Sequence, residues 1–445
     1  MKDLLFLSIS KFLDLHLDRS KPLLLAFSGG FDSTVLLHLL LRYKEEKEMD
    51  LHIAHVDHGW REKSYEEAKR LEEIAHKYKL VFHMKRLAEV PKKNKEDICR
   101  NERYEFFSGL CQKIPFQALL LAHQADDVAE TVLKRILEGA HLINLFGMKE
   151  ISTKDDVTIW RPLLQFPRKE IERYLKDNNL SCIDDETNTS PLYLRSRMRK
   201  TILPSLRKEF GKEITENLCL LAERSNELQQ YLDEKVLDAK KKLIRGPLGL
   251  YLPKSSFSLL KPLEKLHLVK SILQEENIDI SRSILQKIVI ALDLPSKTYT
   301  FSIKDAQIIV DKSRLFIFLK LLRSMPNHAI ALRLGETDFG PWKITMTKAT
   351  CDLPLEGWEN AWKGEARLVL PEGEYQLSVA QKKGKYLFPK LKKDWNEKKV
   401  PHFMRQHLPI VFSRNDIVYD FAFEKEKKQK AITPYYIVKL KLINN

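Results

Sequence analysis

The chain has 445 residues, 43% apolar and 31% charged, with 76 lysines and arginines against 61 acidic residues for a formal charge of +15. That length exceeds what one hydrophobic core supports, so two or three domains are expected, and the charge excess suits a polyanionic partner such as a nucleic acid. No apolar stretch approaches the ~20 residues of a membrane span, and five cysteines without a C-x-x-C pair argue against a zinc site or redox pair and fit a reducing cytoplasm.

Residues 1–22 carry acids within an apolar stretch and lack a small-residue cleavage site, which predicts an amphipathic helix and not a signal peptide. Leu23 to Phe27 is short and wholly apolar, the pattern of a strand covered on both faces. "SGGFDS", Ser28 to Ser33, follows it. A second apolar run from Val35 then continues into charged residues, predicting a helix with Ser33 as its N-cap. A strand, tight loop and helix in this order turn free backbone N–H groups and a positive helix end toward one point, where an anion can sit.

To about residue 140 strands and helices alternate. "LHIAHV" from Leu51, "LVFHMKRL" from Leu80 and "ALLLAH" from Ala118 read as strands, and Ser64–Lys79, "EDICRNERYEFFSGLCQKI" and "ADDVAETVLKRIL" as helices. Crossovers of this length predict a mostly parallel sheet with helices on both faces, and such sheets bind ligands beyond the carboxyl ends of their strands. Three polar clusters, "SGGFDS", "HVDHGWR" and "AHQADD", fall at three strand ends. Farther on, a long helical pattern, two more helices and a hairpin precede a change near residue 326 to short β-like runs. The expected fold is α/β: a doubly wound, mostly parallel sheet over residues 1–211, a mainly helical domain at 212–325 and a small β-rich domain at 326–445.

The loop at 28–33 lacks the G-K-[ST] of a Walker P-loop and is not G-x-G-x-x-G. Gly29 and Gly30 let the backbone approach a phosphate, Ser28 and Ser33 supply hydroxyls, and Asp32 can hold a magnesium ion between phosphates. Taken whole, Ser28-Gly29-Gly30-Phe31-Asp32-Ser33 resembles the S-G-G-x-D-S signature of the PP-loop ATP pyrophosphatases, which cleave ATP between its α and β phosphates. The resemblance implies ATP and Mg2+, with these six residues cradling pyrophosphate and Asp32 taking part in catalysis.

Further motifs are similar, in order, to those of the tRNA(Ile)-lysidine synthetase family within that superfamily. They are "HVDHGWR" (His55 to Arg61), "CRNERY", "LAHQADDVAET", "RPLL", "TNTSPLYLRSRMRKTILPSL" and "KVPHFMRQHLPIVFS". This chain departs from the family pattern at Trp60, Gln124 and Ser196, where leucine, histidine and asparagine are common. The implied reaction adenylates the C2 oxygen of the wobble cytidine in tRNA(Ile) with a CAU anticodon. The ε-amine of free L-lysine then displaces AMP, and the codon read changes from AUG to AUA.

Asp126 and Asp127 stand four and three residues before Glu130, so the carboxylates share a helix face and suit a bound ammonium group. The resemblance places lysine and cytidine recognition on Asp127 and Glu130, with Asp126 beside them. His55, His58 and Arg61 are candidates for adenine, ribose or phosphate contacts. His123 joins the ATP set, and Arg61 also counts toward the RNA. Arg103 neutralises the α-phosphate or, with Arg100, grips RNA. Arg195, Arg197 and Arg199 alternate and share one face if extended; with Asn188 they would line the entrance of the anticodon loop. The tracts "KEKKQK", "QKKGKY" and "KLKKDW" are either tRNA contacts or solvated loops. A cytoplasmic monomer or homodimer without membrane contact is expected. The alternative, a tRNA thiolase, needs catalytic cysteines or an iron–sulfur set near the ATP site, whereas Cys99 and Cys111 fall on one helix and Cys182 stands alone.

Overall fold

The computed structural model describes residues 4–57, 59, 64–87, 95–183, 194–294, 297–304, 306–319, 325–326, 328–349, 357–382, 385–386, 389–413, 416–421 and 435–442. The chain divides into two compact units, 1–230 and 231–445, and the division falls inside the helix Ile214–Lys240.

In the first unit, β1 (Leu23–Ala26) is apolar throughout because both of its faces are covered. Leu23 and Leu25 join the core built with α1 (Leu4–His16) and α2 (Phe31–Glu46), while Leu24 joins a second core with Phe107, Leu119 and Ile159. The strand β2 (Leu51–Asp57) divides the same way, Leu51 and Ile53 to one side, Ala54 and Val56 to the other. After α3 (Ser64–Lys77) come β3 (Val81–Arg86), α4 (Lys95–Lys113), β4 (Ala118–Leu120), α5 (Ala125–Leu137), β5 (Ile151–Lys154), β6 (Val157–Trp160) and α6 (Arg168–Asp177).

The six strands lie in the order β3-β2-β1-β4-β6-β5. All neighbours pair in parallel except β5 and β6, which form an antiparallel hairpin. This is the doubly wound sheet that the alternation predicts. The chain reverses its direction of travel across the sheet between β1 and β4, and a crevice opens beyond the carboxyl ends of strands at such a point.

The β5–β6 hairpin turns through Asp155 and Asp156, both at positive φ (49° and 62°), a conformation aspartate tolerates in tight turns. One local feature differs from expectation: α2 starts at Phe31 with Gly30 at its N-cap, so Ser33 lies inside the first turn and its hydroxyl donates back to the Gly30 carbonyl at 2.9 Å.

The second unit is built around a five-stranded antiparallel sheet, ordered Ile244–Gly246, Gly249–Pro253, Arg314–Phe318, Ala306–Val310, Tyr299–Ile303. Successive side chains on a strand point to opposite faces, and both faces here are apolar. Leu250, Leu252, Ile308, Val310, Leu315 and Ile317 meet the helices Pro262–Glu275 and Arg282–Asp293. Tyr251, Ile309, Phe316 and Phe318 meet Trp342, Trp358, Trp362 and Trp395 of the β-rich segment. That segment holds two four-stranded sheets, and its last strand, Tyr435–Leu442, pairs with both Trp342–Ala349 and Glu365–Pro371. Three short helices, Trp358–Trp362, Pro389–Glu397 and His402–His407, interrupt the β pattern and were not anticipated.

Residues on either side of position 326 therefore share one core. Phe316 is 0% exposed and meets Tyr251, Trp358, Trp362 and Phe403 edge-on or tilted, with ring centroids 4.9–6.3 Å away. Phe316→Ala is expected to destabilise this unit by about 3–5 kcal/mol, measured by urea denaturation followed through tryptophan fluorescence.

Candidate active site

After β1 the chain turns through Gly29 at φ +76°, a left-handed conformation that side chains disfavour. Space demands glycine as well, because a Cβ there would lie 2.8 Å from Leu71 Cδ2 and 2.9 Å from Ile183 Cδ1. The loop's carbonyls are taken by protein donors: Gly29 accepts from Ile183 N–H (2.9 Å) and the Thr34 hydroxyl (3.2 Å), and Gly30 from Thr34 N–H (2.9 Å). The first N–H groups of a helix have no intrahelical partner. With the Ser28 and Ser33 hydroxyls, 3.1 Å apart, they make a donor-rich, acceptor-poor turn suited to an anion.

Phe31 opens α2 with the Arg168 guanidinium 4.3 Å over its ring. Asp32 follows, its Oδ1 buried and without a hydrogen-bond partner among the described residues. Burial, and next the negative charge of Asp127, push its carboxyl up to about 7. On β2, His55 places Nδ1 2.9 Å from the Phe27 carbonyl oxygen, and burial lowers its proton affinity.

Across the crevice β4 ends, and α5 begins with Gln124 as N-cap. Asp127 reaches back so that its Oδ2 accepts the Gln124 backbone N–H at 3.0 Å. One turn on, Glu130 faces the same way, and two arginines clamp both carboxylates. Arg195 donates to Glu130 Oε2 at 2.8 Å and to Asp127 Oδ1; Arg199 donates to Glu130 Oε1 at 2.6 Å and Asp127 Oδ1 at 2.8 Å. Burial alone would raise the Asp127 carboxyl, but the Arg195 and Arg199 guanidiniums outweigh it and hold it below the usual carboxylate range.

The arginine segment is not extended, as its alternation suggested. It forms a helical turn, Leu194–Arg197, running into a wide π turn, Met198–Ile202. The i, i+4 spacing brings Arg195 and Arg199 to one face, while Arg197 is exposed and makes none of the clamp's bonds.

His123, just after β4, has Nδ1 3.3 Å from Arg161 Nε. Burial brings its ring down to about 4, with the charges of Arg161, Arg195 and Arg103 acting in the same direction against Asp127. Arg103, on α4, thus sits within electrostatic reach of His123 and of Arg195. Arg100, three residues earlier, is exposed and lies 5.9 Å from the Tyr104 ring. Asp126 is engaged elsewhere, its Oδ2 accepting the backbone N–H of Arg168 at the head of α6 (2.9 Å).

The structure therefore gathers Ser28, Gly29, Gly30, Phe31, Asp32, Ser33, His55, His123, Asp127, Glu130, Arg103, Arg195 and Arg199 around the ends of β1, β2 and β4. Asp126 turns to α6, Arg100 and Arg197 lie outward, and His58, Arg61 and Asn188 fall outside the described residues. Arg161 and Arg168 had no assigned role. Arg161 opens the "RPLL" motif and Arg168 follows Pro167, but nothing local reveals that Arg161 reaches His123 or that Arg168 covers Phe31.

An aspartate ionising near 3.8 when unfolded and near 7 when folded makes the folded state hold an extra proton between those values, so stability falls as pH rises across that window. Asp32→Asn is expected to flatten this fall and to leave the ligand-free protein more stable than the parent above pH 7, read from thermal melting against pH.

A glycine turn between a buried parallel strand and a helix, with an unpaired aspartate in the first helical turn, defines a PP-loop nucleotide-binding site. The profile of the PP-loop domain matches residues 6–206. The chain is 34% identical to a tRNA(Ile)-lysidine synthase of Protochlamydia amoebophila, covering 94% of this chain and 93% of that protein. It is 40% identical to one of Chlamydia muridarum, covering 53% of this chain and 74% of that protein. This chain belongs to the tRNA(Ile)-lysidine synthase family. Among solved structures, the U34-tRNA thiolase NcsA from Methanococcus maripaludis is 20% identical, covering 51% of this chain and 80% of that one, with a TM-score of 0.42, too slight a likeness to carry an argument. Among the described residues no helix is long and apolar enough to cross a membrane.

Proposed function

We propose that the protein converts the wobble cytidine of tRNA(Ile) with a CAU anticodon to lysidine, using ATP and free L-lysine in the cytoplasm. Membership of the family along 93% of a relative's length carries this reading. The geometry supports it, with a donor-rich phosphate turn and an acidic pair opening onto one crevice.

In the first step the cytidine O2 bonds to the α-phosphorus as the α–β bridge breaks, and pyrophosphate leaves into the turn Ser28–Ser33. The head of α2 and the two hydroxyls stabilise that departing charge. Arg103 faces the α-phosphoryl group, and His55 the nucleoside. The buried, unpartnered Oδ1 of Asp32 fits a Mg2+ ion, which takes one or two carboxylates and completes its shell with phosphate oxygens and water. Bound there, the ion supplies positive charge against the phosphates.

In the second step the lysine ε-nitrogen bonds to C2, the C2–O2 bond breaks, and AMP departs carrying that oxygen. The amine proton passes to the carboxylate of Asp127 or Glu130. Prior adenylation is needed because a ring carbonyl oxygen is a very poor leaving group. Since Arg195 and Arg199 already hold both carboxylates, the incoming ammonium shares them and one arginine yields. Arg195, with a side chain 52% exposed against 30% for Arg199, gives way at lower cost. Arg61, Arg100, Asn188 and Arg197, with basic surfaces in 212–325 and 326–445, serve the tRNA. Affinity of that kind falls steeply with salt.

Labelled lysine should enter tRNA(Ile) only when ATP is present, with lysidine identified by mass spectrometry of the wobble nucleoside. An unmodified tRNA would refute the proposal. Asp127→Asn and Glu130→Gln are expected to raise the KM for lysine about tenfold or more, a loss of ~1.4 kcal/mol in binding, while changing the KM for ATP much less.

A further inference from the structure

Two histidines flank the crevice, and their protein partners impose opposite tautomers. His55 Nδ1 lies 2.9 Å from a carbonyl oxygen, that of Phe27. A carbonyl only accepts, so the ring proton is on Nδ1 and the lone pair on Nε2. His123 Nδ1 lies 3.3 Å from Arg161 Nε, a group that only donates. The lone pair of His123 is therefore on Nδ1 and its proton on Nε2. No described residue bonds to that Nε2.

Arg161 is itself firmly placed. It is 7% exposed, its Nη1 donates to the Lys149 carbonyl and the Ser152 hydroxyl, each at 2.8 Å, and its backbone N–H donates to Glu150 at 2.8 Å. It stands just past β6, the parallel neighbour of β4, so guanidinium and imidazole meet across adjacent strand ends. Arginine keeps its charge under all ordinary conditions, so it both fills Nδ1 and opposes a second proton on the ring. Of the charges that act on His123, the carboxylate of Asp127 is opposed by the guanidiniums of Arg161, Arg195 and Arg103, and an Nε2–H beside those cations is placed to donate to an anionic oxygen.

We infer that Arg161 is a positioning residue that holds His123 as a neutral ring presenting Nε2–H to the crevice, and that His123 thereby donates a hydrogen bond to a phosphoryl oxygen of the reacting nucleotide and is not a base in the reaction. The identity of that oxygen rests on the function proposed above; the tautomer does not. Held this way, the donor is in place before charge develops, which is when a preorganised hydrogen bond contributes most.

The test has two arms. Long-range 1H–15N spectra of the full chain labelled at histidine, with the His123 signal identified by its loss in His123→Gln, should show an unprotonated Nδ1 in the parent and in Arg161→Lys, and a protonated or mixed Nδ1 in Arg161→Met. In the lysidine assay, a glutamine amide nitrogen reaches the place of Nε2 and an asparagine amide only that of Nδ1. His123→Gln should therefore keep kcat within about tenfold of the parent, and His123→Asn should lose about 10²-fold. A protonated Nδ1 in the parent, an unchanged tautomer in Arg161→Met, or an asparagine variant as active as the glutamine one overturns the inference. An inactive parent protein would instead remove the proposed function while the spectra still decide the tautomer.

Discussion

The turn from β1 into α2 closes around a position with no room for a side chain. Gly29 is left-handed at φ +76° and wedged between Leu71 of α3 and Ile183 beyond α6, so two distant parts of the first unit set where the turn lies. That wedge aims the head of α2 at the crevice and carries Asp32 to a depth where its charge is costly. It also directs the loop's carbonyls inward to Thr34 and Ile183, leaving a surface of donors. A phosphate cradle made of backbone needs this division of polarity, and one missing Cβ sets it.

Around that turn the buried carboxylates fall into two electrostatic classes. Asp127 and Glu130 are both engaged by Arg195 and Arg199, whereas Asp32 has an oxygen with no partner among the described residues. Replacing a buried ion pair by apolar groups is often neutral or stabilising, so the four-way clamp is poorly explained as a device for stability. Under the proposed function it is a preformed set of charges that an ammonium group enters by exchange, with no carboxylate left bare beforehand. The unpaired Asp32 calls for an opposite charge from a ligand. One cluster is satisfied and the other is not, and the crevice joins them.

Much of this was legible in the residues. The unbroken apolar run at Leu23 to Phe27 announced a strand covered on both sides, the glycines of "SGGFDS" announced a tight turn into a helix, and the three-residue spacing of Asp127 and Glu130 placed two carboxylates on one helix face. Local spacing failed where the outcome depends on distant partners. Arg195, Arg197 and Arg199 look alike as an alternating trio, yet a π turn pairs the first and last and turns the middle one out. Asp126 is indistinguishable from Asp127 by position, but the free N–H at the head of α6 claims it. Ser33 has every attribute of an N-cap, and the helix simply begins three residues earlier than such a cap would set it, at Phe31. Arg161 bonds a histidine 38 positions away, a pairing that no periodicity reports.

The five-stranded sheet of the second unit has one further implication, concerning how the molecule is made. Its helix-covered face is complete once residues to Phe318 have left the ribosome, but the aromatic face of Tyr251, Phe316 and Phe318 waits for tryptophans as late as Trp395 and for the strand Tyr435–Leu442 that ties their sheet together. During synthesis that face is bare and greasy for the time needed to add more than a hundred residues, at about 5–20 per second. The nascent chain therefore carries an aggregation-prone surface for several seconds or longer, and chaperones that shield apolar strands would find their natural client in this half of the protein.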